Sequence, residues 1–98
     1  MIRFQRTMRV RRGRHATLWA RELSDYMNAA HGEPKLQLFS SRFGNVSTLM
    51  WVADFKSLAA LEEWQKRVGA DAGYRELVKK SFEIVIDGTV EDAVLQSV

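Results

Sequence analysis

Apolar residues recur along this chain in an order that reads strand, helix, strand, strand, helix, strand within 98 residues. Alternating runs sit at Ile2–Val10, Leu36–Phe43, Val46–Phe55 and Phe82–Val90, and three- and four-residue periodicity fills Arg14–Ala30 and Ser57–Lys80. That order predicts an α+β, ferredoxin-like βαββαβ arrangement, with a four-stranded antiparallel sheet and the helices on one face. At this length the expectation is a single domain over residues 1–98.

Local signals agree with this order. The first strand sets Ile2, Phe4, Met8 and Val10 against Arg3, Gln5, Thr7 and Arg9, with Arg6 interrupting the apolar face. Ala16, Trp19, Ala20, Leu23, Tyr26, Met27 and Ala30 form one helical stripe, which His31-Gly32-Glu33-Pro34 ends with the usual Gly and Pro. Gly44-Asn45 predicts a tight hairpin, since both residues tolerate positive φ. Ser57 is an N-cap for the stripe Leu58, Leu61, Trp64 and Val68, and Asp71 caps a short continuation carrying Tyr74, Leu77 and Val78. The last strand is expected to stop at Gly88, with Thr89–Val98 as an ordered amphipathic tail whose acids meet Arg9, Arg11 and Arg12.

Composition removes several function classes. Hydrophobic residues make up 46% and charged residues 28%, which fits a compact globule. With no cysteine there is no disulfide, thiolate nucleophile or Cys-ligated zinc. No apolar run suggests a signal peptide or approaches the roughly 20 residues of a membrane span, so the expectation is a cytoplasmic protein with no membrane partner. Residues 1–50 carry nine Lys/Arg against three acids, and residues 51–98 carry six against nine. Halves of opposite charge suit self-association. The six arginines between Arg3 and Arg14 leave a polyanion site as the lesser reading.

The sheet has two faces and the helices cover one. In either register the other face keeps large apolar side chains beside Gln5 and Thr7: Phe39 and Phe43 or Leu36 and Leu38, with Met50 and Val52 or Leu49 and Trp51. Such a patch predicts a homodimer packed sheet to sheet about a two-fold axis.

A first strand closed by Val10-Arg-Arg-Gly13, the Phe43-Gly-Asn-Val46 junction, and the strand-to-helix passage from Trp51 to Trp64 are the residues that carry a resemblance. With them the chain resembles the dimeric α+β barrel superfamily, in particular its NIPSNAP-like and antibiotic-biosynthesis-monooxygenase-like members. The resemblance implies a homodimer whose two sheets form a barrel, with a pocket between each sheet and its helices.

Arg6 is the sharpest anomaly, a guanidinium on an otherwise apolar face that needs an anion, a carboxylate or an opening to water. It is either an anchor for an acidic or enolic ligand or one half of an internal pair with Glu22, Asp25, Glu62 or Glu83. Trp19, Trp51, Trp64 and Tyr26 supply flat walls for an aromatic ligand, although aromatic residues at helical spacing are more often plain core. Arg6, Trp19, Tyr26, Trp51 and Trp64 are therefore the candidate ligand-binding residues. The resemblance adds that a helix tryptophan assists oxygen chemistry in the cofactor-free monooxygenases, and Trp64 falls in a comparable helix. Their accompanying polar residue is missing here: Arg6 stands near the first-strand Asn position, and no His follows His31.

His15 and His31 lie sixteen residues apart and share no helix face, so no metal site is expected. Ser40, Ser41 and Ser47 have no base in a recognisable motif, and no Gly-rich phosphate loop exists. The first and third strands lack the aromatic signature of RNA-recognition modules. Three functions are ranked. The first is a homodimer binding a small apolar or aromatic ligand without a cofactor. The second is a cofactor-independent monooxygenase- or cyclase-like enzyme on an aromatic or polyketide-like substrate, and the third a nucleic-acid-binding module.

Overall fold

A computed structural model describes residues 1–11, 14–41 and 47–98. The expected hairpin at Gly44-Asn45, Phe43 and the Arg12-Gly13 turn lie outside the described residues.

The chain runs β1 (Ile2–Arg9), α1 (Arg14–His31), β2 (Gln37–Ser40), β3 (Thr48–Phe55), α2 (Leu58–Gly69), α3 (Ala72–Lys80), a 3₁₀ turn (Ser81–Glu83) and β4 (Glu91–Gln96). All strand pairs are antiparallel and the sheet order is β2-β3-β1-β4, as the βαββαβ pattern requires. Ser57 Oγ accepts from Ala60 N at 3.2 Å to start α2, and Asp71 Oδ1 accepts from Gly73 N and Tyr74 N to start α3. After α1, Gly32 takes φ 64°. Asn28 then clamps the following segment through a reciprocal pair of hydrogen bonds with the Leu36 backbone, at 2.8 and 3.1 Å.

The last strand is displaced from its expected place. Phe82, Ile84 and Ile86 do alternate, but Ser81–Glu83 continues α3 as a 3₁₀ turn and leaves Phe82 75% exposed. Here the chain meets the end of β1 through an isolated bridge between Val85 and Val10, with Ile86 N donating to Arg9 O at 3.0 Å and Arg11 N to Ile84 O at 2.8 Å. Gly88 turns the chain at φ 78°, and Thr89 Oγ1 accepts from Arg9 N at 3.2 Å. The tail expected as an ordered amphipathic helical turn or arm is ordered as β4, a strand of the same sheet. It pairs with β1 from Ile2↔Gln96 to Thr7↔Glu91.

Register settles which side chains face the helices. Residues directly opposite each other share a face. Leu38, Trp51, Arg6 and Asp92 consequently form one row across all four strands on the helix side. Ile2, Phe4, Met8, Leu49, Ala53 and Phe55 join them, and α1 and α2 cover them with Trp19, Leu23, Met27, Leu61, Trp64 and Val68. Each large apolar side chain so buried contributes on the order of 2 kcal/mol. Leu58 and Ala30, assigned to helical stripes by periodicity, are exposed. The opposite face carries Phe39, Met50, Val52 and Leu95 among Gln5, Thr7 and the Arg3–Asp54 pair.

Candidate functional site

Between the sheet and the helices lies a cavity of about 380 Å³. Four of the five expected site residues line it: Arg6 from β1, Trp51 from β3, Trp19 from α1 and Trp64 from α2. Phe4 and Met8 complete the β1 wall. Exposed Gln65, Gly69 and Val90 also border it, so the cavity reaches the surface.

The three indoles are fixed differently. Trp19 donates its Nε1–H to Leu77 O at 2.9 Å, and Trp51 donates to Ser24 Oγ at 2.8 Å, with Ser24 itself buried. Their rings meet edge to face, 5.7 Å apart at 88°. Trp64 is wedged between Phe55 at 5.4 Å and Phe4 at 6.2 Å, and its N–H has no side-chain or backbone partner among the described residues.

Arg6 finds none of the partners expected for it. Glu22 instead reaches Lys80 at 3.4 Å. The guanidinium meets Asp92, directly opposite on β4, with Nε donating to Oδ1 at 2.7 Å and Nη2 to Oδ2 at 2.8 Å. The plane also lies over Phe4, 5.7 Å from its centroid, and Nη1 approaches Tyr74 OH at 3.5 Å. The Asp92 hydrogen bonds hold the Arg6 pKa above its ordinary value, outweighing the burial that opposes it.

Tyr26, the fifth expected residue, is not on the cavity wall. Its hydroxyl donates to Asp71 Oδ1 at 2.6 Å, while His31 Nε2 lies 2.8 Å from Asp71 Oδ2. The Tyr26 hydroxyl is the main cause of the low Asp71 pKa of about 2, helped by Tyr74 N–H, His31 and Gly73 N–H. The same bond raises the Tyr26 pKa. His31 thereby ties the end of α1 to the start of α3. Periodicity does not mark two contributors: Tyr74 falls on a helical stripe, and Asp92 in the segment after Gly88. The opposite charges of Arg6 and Asp92 were the available signal.

Among the described cavity-lining residues there is no carboxylate, imidazole or thiol. Ser81, the one hydroxyl there besides Tyr74, donates to Val78 O at 2.5 Å. Among the described residues no His/Asp/Glu cluster suits a metal ion, and no helix is long and apolar enough to cross a membrane. The site can enclose a flat apolar molecule and offer it a hydrogen-bond donor.

No protein-family model matches the chain, and no curated protein matches it in sequence. Solved structures do. A NIPSNAP-family protein of unknown function from Agrobacterium tumefaciens superposes with a TM-score of 0.78 at 23% identity, covering 99% of this chain and 87% of the other. The fold is that of NIPSNAP-family proteins. It is shared with an antibiotic biosynthesis monooxygenase, with a TM-score of 0.73 at 14% identity over 100% and 99% of the two chains. SnoaB, a cofactor-independent oxygenase from Streptomyces nogalater, follows at 0.70 and 11% over 98% and 91%. At such identities these similarities establish the architecture alone, and it is the ferredoxin-like α+β fold expected from the sequence.

Proposed function

We propose that this chain is a single-domain, homodimeric α+β barrel protein that holds a small apolar or aromatic ligand between sheet and helices. The observation that carries the reading is the cavity of about 380 Å³ walled by three tryptophans and Phe4. Its lack of a carboxylate or imidazole among the described lining residues favours binding over catalysis. Self-association is supported by the uncovered sheet face, where Phe39 is 51% and Leu95 48% exposed. Native mass spectrometry of freshly purified protein tests both parts. A dimer mass with a retained small molecule is expected; a bare monomer at micromolar concentration would overturn the reading. The cytoplasmic placement belongs to the same proposal and is tested by cell fractionation.

A second reading, an oxygenase or cyclase acting without a cofactor, draws on the similarity to SnoaB and on Trp64 standing in the cavity wall. Oxygen consumption with an aromatic polyketide-like substrate, abolished by Trp64→Phe, would promote it over the first.

A further inference from the structure

Arg6 places a full positive charge on the cavity wall, but that charge is already answered. Asp92 does not line the cavity. It takes the guanidinium from the β4 side with both carboxylate oxygens, at 2.7 and 2.8 Å. Of the five N–H groups of an arginine, two are thereby used. Nη1 is engaged only by the long 3.5 Å approach to Tyr74 OH. Of the other donors on this wall, Trp19, Trp51 and Ser81 bond within the protein, and the uncharged Trp64 N–H is left uncommitted among the described residues. The wall therefore offers hydrogen-bond donors with almost no net charge.

We propose that Asp92 sets the charge selectivity of the cavity, making it a site for uncharged, oxygen-bearing aromatic molecules such as phenols, ketones and quinones rather than for aromatic carboxylates. This rests on the reading of the cavity as a ligand site. A neutral carbonyl or hydroxyl can take a proton from Arg6 Nη1 or from Tyr74 while giving up little hydration. A carboxylate at the same place is attracted by Arg6, is repelled by Asp92 on the far side of the same guanidinium, and loses its own water. Replacing Asp92 by Asn keeps the shape on β4 but leaves the Arg6 charge uncompensated, and the preference should reverse.

Calorimetric titration with naphthol and with naphthoate near pH 7 tests this, because the first is then neutral and the second ionised. The unaltered protein should bind naphthol about tenfold more tightly than naphthoate. D92N should tighten naphthoate binding by about tenfold and leave naphthol nearly unchanged. Naphthoate bound as tightly as naphthol by the unaltered protein would overturn the proposal and leave the ligand-site reading standing, and that comparison needs no variant. An unchanged ratio in D92N that melts like the parent would overturn it too. If neither compound binds, the ligand-site reading fails and the proposal with it.

Discussion

The ring of Tyr26 fills the space beside Gly73 so closely that a Cβ there would stand 2.6 Å from Tyr26 Cζ. No real Cβ tolerates that contact, and Tyr26 is tethered by its 2.6 Å bond to Asp71. Gly73→Ala should therefore destabilise by about 1–3 kcal/mol in urea unfolding, despite alanine's better helix propensity. In a Tyr26→Ala background the same change should be neutral or stabilising, which separates crowding from backbone effects.

Asp71 sets an acid limit on stability. Its carboxyl titrates near 2 in the folded chain, below the ordinary 3.8, so the folded state binds fewer protons in that interval. The stabilisation is complete above the ordinary carboxylate pKa and is lost as pH falls toward 2. Urea midpoints measured across this interval should fall less steeply for Asp71→Asn, which keeps the N-cap but cannot titrate.

Ser24 is the buried acceptor for Trp51 Nε1–H. Ser24→Ala leaves that indole donor without a partner, at a cost of about 1–3 kcal/mol in unfolding free energy. Ser24→Thr, which restores an oxygen, should recover part of the loss.

Removal of residues 91–98 would strip β1 of one whole partner strand and Arg6 of its carboxylate. An exposed β1 edge invites pairing with other chains. The truncated chain should aggregate or lose cooperative melting by circular dichroism. Retention of the parent melting temperature would show that β4 is dispensable.

Phe39→Asp places a charge on the uncovered sheet face, where Phe39 is already 51% exposed. Sedimentation should report a monomer with an unchanged circular dichroism spectrum. A dimer that survives the change would locate the interface elsewhere.

Most of the architecture was legible because side-chain period reports which face is buried. The first strand, the α1 stripe and the caps at Ser57 and Asp71 all follow from it. The last strand did not, because Phe82, Ile84 and Ile86 alternate in sequence yet directly follow α3, where a helical overrun into a 3₁₀ turn competes with a strand. What selects Glu91–Gln96 is long-range pairing with β1, which sets Asp92 opposite Arg6. Period alone contains no such pairing. The same gap hides the site's polar end: with the last strand expected to stop at Gly88, Glu83 stands among the candidate partners of Arg6 and Asp92, in the tail, does not. Tyr26 and Trp19 share one helical stripe, and only the packing of α3 against α1 sends Tyr26 to Asp71 rather than to the cavity.

The chain contains three tryptophans and all of them stand in the cavity wall. Its tryptophan emission therefore originates wholly from the cavity wall. The perpendicular Trp19–Trp51 pair, 5.7 Å apart, is close enough for its electronic transitions to couple, which gives the folded state a near-ultraviolet dichroism signature of its own. Occupancy of the cavity, as proposed above, would thus be readable from the protein's own emission without any attached dye.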